Sequence, residues 1–115
     1  MSLADHLQET LAPLGGISLR RMFGSLGLFA HGTMFGLLHR DTLYLRADDQ
    51  NRPAFEAEGS APFTYLRAGQ PTSLAYWSLP EHLLDEPDEF RRWAREALSA
   101  AHRVAAARPA KRARR

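Results

Sequence analysis

The sequence contains no cysteine, and this absence removes several classes of chemistry at once. Without cysteine there is no disulfide framework, no thiolate metal site and no cysteine nucleophile. The sequence also lacks a run of about 18 apolar residues, the length that a membrane-spanning helix requires. Its first residues show no basic segment followed by an apolar stretch, which argues against a signal peptide. These absences predict a cytoplasmic protein that has no membrane partner.

Acidic residues are missing from the C-terminal end of the chain, where basic residues are concentrated. The segment carries five cations and no acid: Arg108, Lys111, Arg112, Arg114 and Arg115. Removing these five from the fifteen basic residues leaves ten against thirteen acidic ones, so the remaining body has a charge of −3. A segment of Ala, Arg, Pro and Lys cannot bury enough apolar surface to become ordered. We therefore predict one domain over residues 1–107 and a disordered basic tail over residues 108–115.

Three stretches of the sequence predict helices. Ser2 is a suitable N-cap, and Asp5 lies near the positive end of the helix dipole. Leucines then recur at helical spacing, at Leu3, Leu7, Leu11 and Leu14. A short helix with Pro53 in its first turn is predicted to run to about residue 58. The last helix begins at Asp85-Glu86-Pro87-Asp88 and ends before Pro109. Its apolar stripe comprises Phe90, Trp93, Ala94, Ala97, Leu98, Ala101, Val104 and Ala105.

Residues 17–47 predict a three-stranded meander. Gly24-Ser25-Leu26-Gly27 is interpreted as a bend within the first strand, His31-Gly32 as a two-residue turn, and His39-Arg40-Asp41 as a polar turn. Two further strands are predicted near residues 63–66 and 73–78. The predicted fold class is α+β in two layers, with an antiparallel five-stranded sheet packed on helices in the order α-β-β-β-α-β-β-α.

Several stretches resemble one known family, the TfoX/Sxy N-terminal domain, in the same order along the chain. The first are Arg20-Arg21-Met22-Phe23-Gly24, Gly27-Leu28-Phe29, Met34-Phe35-Gly36-Leu37 and Leu43-Tyr44-Leu45-Arg46. The middle ones are Asn51-Arg52-Pro53-Ala54-Phe55-Glu56, Gly59-Ser60 and Pro62-Phe63-Thr64-Tyr65. The last are Ala75-Tyr76-Trp77-Ser78-Leu79-Pro80 and Trp93-Ala94. The resemblance covers roughly residues 7–101.

The resemblance implies an α+β fold and a role in the regulation of natural competence in bacteria. Longer members of the family act with the cyclic-AMP receptor protein at promoters. Those members carry a second, helical C-terminal domain, whereas this sequence ends after the first domain. The family has no established catalytic residues, so the resemblance transfers no catalytic site to this sequence.

Two adjacent arginines, Arg20 and Arg21, precede the first glycine bend. Their guanidinium groups predict contact with an anion, a nucleic acid or a protein partner. The structural alternative is that one arginine pairs with a carboxylate such as Asp48 or Asp49 while the other is solvated. The acidic balance of the body favours this alternative.

No pattern of residues predicts a catalytic, cofactor or metal site. Gly24, Gly27, Gly32 and Gly36 form neither a dinucleotide-binding nor a P-loop motif, so we interpret them as turn and packing positions. No two of the five histidines have the spacing of a helical metal pair; they are His6, His31, His39, His82 and His102. Nothing local marks a hydroxyl nucleophile among Ser25, Thr33, Thr42, Thr64 and Ser73. We interpret Asp48-Asp49 as a cap between a strand and a helix.

Aromatic residues are grouped on the last two predicted strands, at Phe63, Tyr65, Tyr76 and Trp77. Aromatic rings on a sheet can stack on bases, but that mode of binding also requires basic residues between the rings. Only Arg67 is near in sequence. This pattern favours a cross-strand aromatic core or a protein-binding patch over base stacking.

Three functional hypotheses remain from the sequence. The leading one is a non-enzymatic regulatory or adaptor domain that binds an unidentified regulatory protein, with a homodimer through an apolar edge strand as a further expectation. The second is weak, sequence-independent binding of DNA or RNA through the basic tail, which would weaken with salt and disappear on removal of residues 108–115. The third is an enzyme or small-ligand protein with a pocket between the sheet and the helices.

Overall fold

The computed structural model describes residues 2–22 and 24–107 of the chain. The predicted basic tail, with Arg108, Lys111, Arg112, Arg114 and Arg115, therefore lies outside the described residues. The helices are α1 (Leu3–Leu11), α2 (Arg52–Ala57) and α3 (Pro87–Ala106), and the strands are β1 (Ile17–Met22), β2 (Ser25–Ala30), β3 (Thr33–His39), β4 (Thr42–Arg46), β5 (Pro62–Arg67) and β6 (Gln70–Ser78). Short 3₁₀ segments follow α1 and precede α3, over Ala12–Leu14 and Glu81–Asp85.

The helices begin where the sequence predicts them, for the expected local reasons. The Ser2 hydroxyl accepts a hydrogen bond from the Asp5 amide at 3.1 Å, and the Asp5 carboxylate accepts one from the Ser2 amide at 3.5 Å. Helix α3 has Pro87 in its first turn together with two acids that match the helix dipole. The three helices and the antiparallel sheet on which they pack confirm the predicted α+β class.

All six strands form one antiparallel sheet in the order β1-β2-β3-β4-β6-β5. The prediction of five strands was wrong, because residues 17–30 form two strands rather than one bent strand. The chain reverses between Met22 and Ser25, which are cross-strand partners, and Gly24 has a φ of +81°. Gly27, a residue of the predicted bend, instead lies within β2 and pairs with Arg20. The expected three-stranded meander is therefore four-stranded.

Three later hairpin turns place residues in the left-handed region of φ. The turns at His31-Gly32 and Arg40-Asp41 have positive φ at both positions, as type I′ turns require, and so does the turn at Ala68-Gly69. Such tight connections match the twist of antiparallel strands. They fix the β2–β3, β3–β4 and β5–β6 registers, and hence which side chains share a sheet face.

The hydrophobic core lies between one face of the sheet and the three helices. Leu28, Phe35 and Leu45 from the sheet are fully buried together with Leu7 of α1 and Phe90 of α3. Helix α3 approaches β3 and β4 through a row of small residues, and its buried positions include Ala94, Ala97 and Ala100. Each large side chain buried in this way contributes about 1.5–3 kcal/mol to folding. Within the described chain, α1, α2 and α3 all pack on this face.

The opposite sheet face, which we call the open face, is defined by strand register. Residues directly opposite each other in an antiparallel pair point to the same side of the sheet. Arg20 pairs with Gly27, Gly27 with Leu37, Leu37 with Tyr44, and Tyr44 with Ser78. This row crosses the sheet from β1 to β6 on the side away from Leu28 and Leu45. A bulge near Phe35 turns its ring into the core, while Met34 points to the open face.

Gly16, just before β1, is expected to be intolerant of a side chain. We expect Gly16→Ala to lower the free energy of unfolding by about 2–3 kcal/mol. Its φ is +63°, and the added Cβ would overlap the imidazole ring of His31. Urea unfolding monitored by circular dichroism measures this loss.

Two further variants separate steric contact from backbone strain at Gly16. Gly32→Ala has a comparable φ of +83° but nothing within 4 Å of its added Cβ, so it should cost only about 1 kcal/mol. Combining Gly16→Ala with His31→Gly should recover the part of the loss that comes from the ring. Equal losses for Gly16→Ala alone and in the double variant would contradict the assigned contact.

Candidate functional site

An aromatic cluster occupies the open face near β5. The Phe63 ring lies 5.1 Å from the rings of His39 and Tyr44, edge to face in both cases, and 6.3 Å from Tyr65 in a stacked arrangement. These four residues come from β3, β4 and β5, and all remain partly exposed. Edge-to-face and stacked aromatic pairs stabilise this arrangement beyond the area they bury. The cluster therefore gives the open face a continuous group of partly exposed aromatic rings.

Two arginines lie over aromatic rings on the same face. The guanidinium carbon of Arg20 is 4.6 Å from the centroid of Phe29, and that of Arg46 is 5.3 Å from the centroid of Tyr76. Burial raises the pKa of Tyr76, and the Arg46 guanidinium opposes that rise. The Nε atom of Arg46 is buried and has no hydrogen-bond partner in the described chain. Because this Nε atom is buried, it does not itself offer a donor to a ligand on the open face.

The six strands contain no aspartate or glutamate. Every acidic residue lies in a helix, a 3₁₀ segment or a loop, where several pair with arginines. Arg52, Arg91, Arg92 and Arg103 each form an ion pair with a carboxylate. In contrast, the strand arginines have no carboxylate partner among residues 2–22 and 24–107; they are Arg20, Arg21, Arg46 and Arg67. The open face is therefore cationic although the body of the chain is acidic.

A serine–histidine pair, which the sequence did not suggest, lies at one end of the open face. Ser25 Oγ is 2.6 Å from Nδ1 of His39, and Ser25 is buried. The pair forms because β2 and β3 are adjacent, whereas the two residues are far apart in sequence. A nucleophilic triad requires a third group that orients the histidine, and no carboxylate in the described part of the chain bonds to His39. The contact orders the end of the hairpin.

A shallow cleft of about 220 Å³ lies on the helical side of the molecule, between α2 and α3. Its lining combines polar, apolar and charged residues: Gln50, Asn51, Ala54, Phe55, Arg92, Trp93 and Glu96. Phe55 and Trp93 meet edge to face with ring centroids 5.0 Å apart, and Trp77 lies behind Phe55. The cleft thus presents an aromatic floor with two charges at its rim, a pattern typical of protein contacts.

A partly buried ion pair lies beside this cleft. Arg103 near the end of α3 donates to both carboxylate oxygens of Asp48, from Nε at 2.6 Å and from Nη2 at 3.0 Å. Asp48 also accepts hydrogen bonds from the amides of Gln50 and Asn51, which lead into α2. The Arg103 guanidinium lowers the pKa of Asp48 to about 2. The pair therefore connects the end of α3 to the segment between β4 and α2.

The alternative prediction, that Arg20 or Arg21 pairs with a carboxylate such as Asp48 or Asp49, was wrong for these two carboxylates. Asp48 pairs with Arg103, and Asp49 pairs with Arg52 at 2.6 Å. Arg20 and Arg21 are both exposed. Their pairing in β1 places Arg20 on the open face and places Arg21, opposite Leu26, on the other face. Their predicted contact with an anion or partner stays a prediction.

The predicted residues of the other candidate sites are dispersed. His31 and His39 lie at opposite ends of the β3 region, and no group of three metal-ligating side chains occurs within the described residues. The predicted aromatic group divides between two faces, because Trp77 joins Phe55 in the core while Phe63 and Tyr65 lie on the open face.

None of the described helices is long and apolar enough to cross a membrane.

Comparison with known proteins identifies the family. A model described as the TfoX N-terminal domain matches residues 9–101. Protein Sxy of Escherichia coli (strain K12) is 33% identical over 94 residues, which cover 82% of this chain and 45% of that protein. DNA transformation protein TfoX1 of Aliivibrio fischeri (strain ATCC 700601 / ES114) is 28% identical over 98 residues, which cover 82% of this chain and 47% of that protein.

The chain therefore spans about half the length of the curated relatives it matches. The match extends from the end of α1 through all six strands and most of α3, so it includes both the open face and the α2–α3 cleft. The resemblance found in the sequence is confirmed. This chain belongs to the TfoX N-terminal domain family.

Proposed function

We propose that this chain is a non-enzymatic regulatory domain that acts by contact with another protein, in bacterial transcription or competence regulation. Membership of the TfoX N-terminal domain family is the observation that carries this proposal. One relative is named as a DNA transformation protein, which supports a role in that process.

The α2–α3 cleft is the surface that we assign to the protein partner. Its aromatic floor supplies apolar area, and Arg92 and Glu96 at its rim supply charges that can select a complementary partner. The Asp48–Arg103 pair holds α3 against the segment before α2, which keeps the cleft preformed. A preformed cleft lowers the ordering cost of binding.

The test is capture of partners from a bacterial lysate by the immobilised chain at low and moderate salt. Glu96→Arg reverses one rim charge, and it should reduce at least tenfold the recovery of a partner that places a basic group against Glu96, because the new arginine would then oppose a like charge. Glu9→Arg is the matched control, since Glu9 is an exposed acid on α1 outside the cleft. It should leave recovery unchanged.

Two results would count against this assignment. One is the absence of any captured protein above background at both salt concentrations. The other is a captured protein whose recovery is equal for the unchanged chain, Glu96→Arg and Glu9→Arg, which would place the contact elsewhere on the molecule. Circular dichroism of each variant confirms that the charge reversals leave the fold intact.

A further inference from the structure

The open face combines the two features that single-stranded nucleic acid requires from a sheet. Phe63 and Tyr65 provide partly exposed rings, and bases stack on such rings with little dependence on sequence. The sequence argued against this mode of binding because only Arg67 lies near these aromatics. The tertiary structure removes that objection, since register brings Arg20 and Arg46 from β1 and β4 onto the same face.

Arg67 is a third arginine on the open face, in addition to Arg20 and Arg46. It is exposed and follows Tyr65 by two residues on β5, so strand alternation places both on the open face. From β5 to β1 the sheet spans about 24 Å, which corresponds to roughly four or more nucleotides of single strand. Cations therefore lie at both edges of the face and in its interior, with aromatic rings between them.

The charge pattern discriminates among the kinds of occupant. A second copy of this chain would bring one acid-free face against another, so that arginine would oppose arginine without a carboxylate between them. An anionic partner neutralises Arg20, Arg46 and Arg67 instead. A base-paired duplex offers phosphates but keeps its bases stacked internally, where Phe63 and Tyr65 cannot reach their planes.

We propose that the open face binds single-stranded nucleic acid. Bases stack on Phe63 and Tyr65, and phosphates contact Arg20, Arg46 and Arg67. This site is separate from the α2–α3 cleft, which lies on the helical side of the sheet, and it does not depend on the protein contact proposed for that cleft. It also differs from electrostatic binding through residues 108–115, because it requires aromatic rings on the folded body.

Fluorescence anisotropy with labelled oligothymidylate and the full chain tests this proposal. Tyr65→Leu keeps an apolar side chain but removes the ring, and it should weaken binding about tenfold. Arg67→Ala should weaken binding and reduce the slope of log affinity against log salt by about 0.7, the contribution of one single-strand phosphate contact. A duplex of the same length should bind more weakly than the single strand.

Arg95→Ala is the matched control for charge. Arg95 is exposed on α3 and has no ion-pair partner among the described residues, so its replacement removes the same charge from the helical side. It should leave affinity for the single strand nearly unchanged. Residues 108–115 are present in every variant, so differences among variants report the body of the chain alone.

Several outcomes would overturn the proposal. No binding of oligothymidylate at low salt would do so directly. Equal affinity of the unchanged chain, Tyr65→Leu, Arg67→Ala and Arg95→Ala would assign binding to the tail alone. Equal affinity for single strand and duplex would exclude base stacking. Loss of a captured protein in Tyr65→Leu, without oligonucleotide binding, would make the open face a protein surface. The oligonucleotide results do not bear on the Glu96→Arg test of the cleft.

Discussion

Phe35→Ala is expected to lower the free energy of unfolding by about 3–5 kcal/mol, the largest effect of any substitution considered for this chain. Phe35 is fully buried at the bulge between β2 and β3, where its ring fills the space between the sheet and the helices. Alanine would remove most of that ring and leave a cavity, because the close-packed surroundings relax only in part. A domain of this size is stabilised by only about 5–15 kcal/mol in total, so the variant should be close to unfolding.

Phe63→Ala is the control that tests the two-sided architecture. It removes the same ring from the open face, where Phe63 is partly exposed and contacts the rings of His39, Tyr44 and Tyr65. Its cost should be about 1–2 kcal/mol, from lost aromatic contacts without an enclosed cavity. Urea unfolding of both variants measures the difference. Equal losses at the two positions would contradict the assignment of one covered face and one open face.

Asp48→Asn is expected to lower the free energy of unfolding at neutral pH by about 2 kcal/mol. The substitution removes the charge that Arg103 pairs with and leaves that guanidinium without a carboxylate partner, while Asn retains an oxygen for the amides before α2. Asp88→Asn is the control, because Asp88 pairs with Arg91 while its side chain is 99% exposed. An exposed pair of this kind should contribute no more than about 0.5–1 kcal/mol.

The contribution of Asp48 should also depend on pH in a defined direction. Its pKa is lowered from 3.8 to about 2 in the folded chain, so the unfolded state binds its proton first as the pH falls. The stabilisation is therefore present above the unfolded pKa and is lost as pH falls through the folded pKa. The difference in stability between the unchanged chain and Asp48→Asn should shrink from pH 5 towards about pH 2. A difference that stays constant over this range would contradict the ion pair.

Local sequence signals located most of the secondary structure. Ser2 and Asp5 form the predicted capping arrangement, and Pro87 with its neighbouring acids begins α3 as expected. These features depend on residues within one or two turns of each other, so the sequence alone contains the information. The same holds for the turns at His31-Gly32 and Arg40-Asp41, where backbone preference and short length define a hairpin.

The missed strand shows where local signals were ambiguous. Two glycines within four residues indicated a bend, but only Gly24 lies in the turn, with its positive φ. Gly27 is a strand residue, and an added Cβ there would lie 2.7 Å from Sδ of Met22 and 2.9 Å from Cε1 of Phe29. Its lack of a side chain therefore accommodates neighbours on the open face. The apolar alternation on both sides of Gly24 was the signal for a hairpin.

The sequence by itself determined the family, the α+β class and the positions of the three helices, because these follow from motifs and periodicities that are local in the chain. Tertiary structure decided the rest. Antiparallel register gathered Arg20, Arg46 and the aromatics of β5 onto one acid-free face, although they are up to about 45 residues apart. Because α3 packs against β4, Arg103 lies next to Asp48 and pairs with it, whereas Arg20 and Arg21 do not. Such choices depend on which strands and helices become neighbours in space, and no spacing along the chain specifies that.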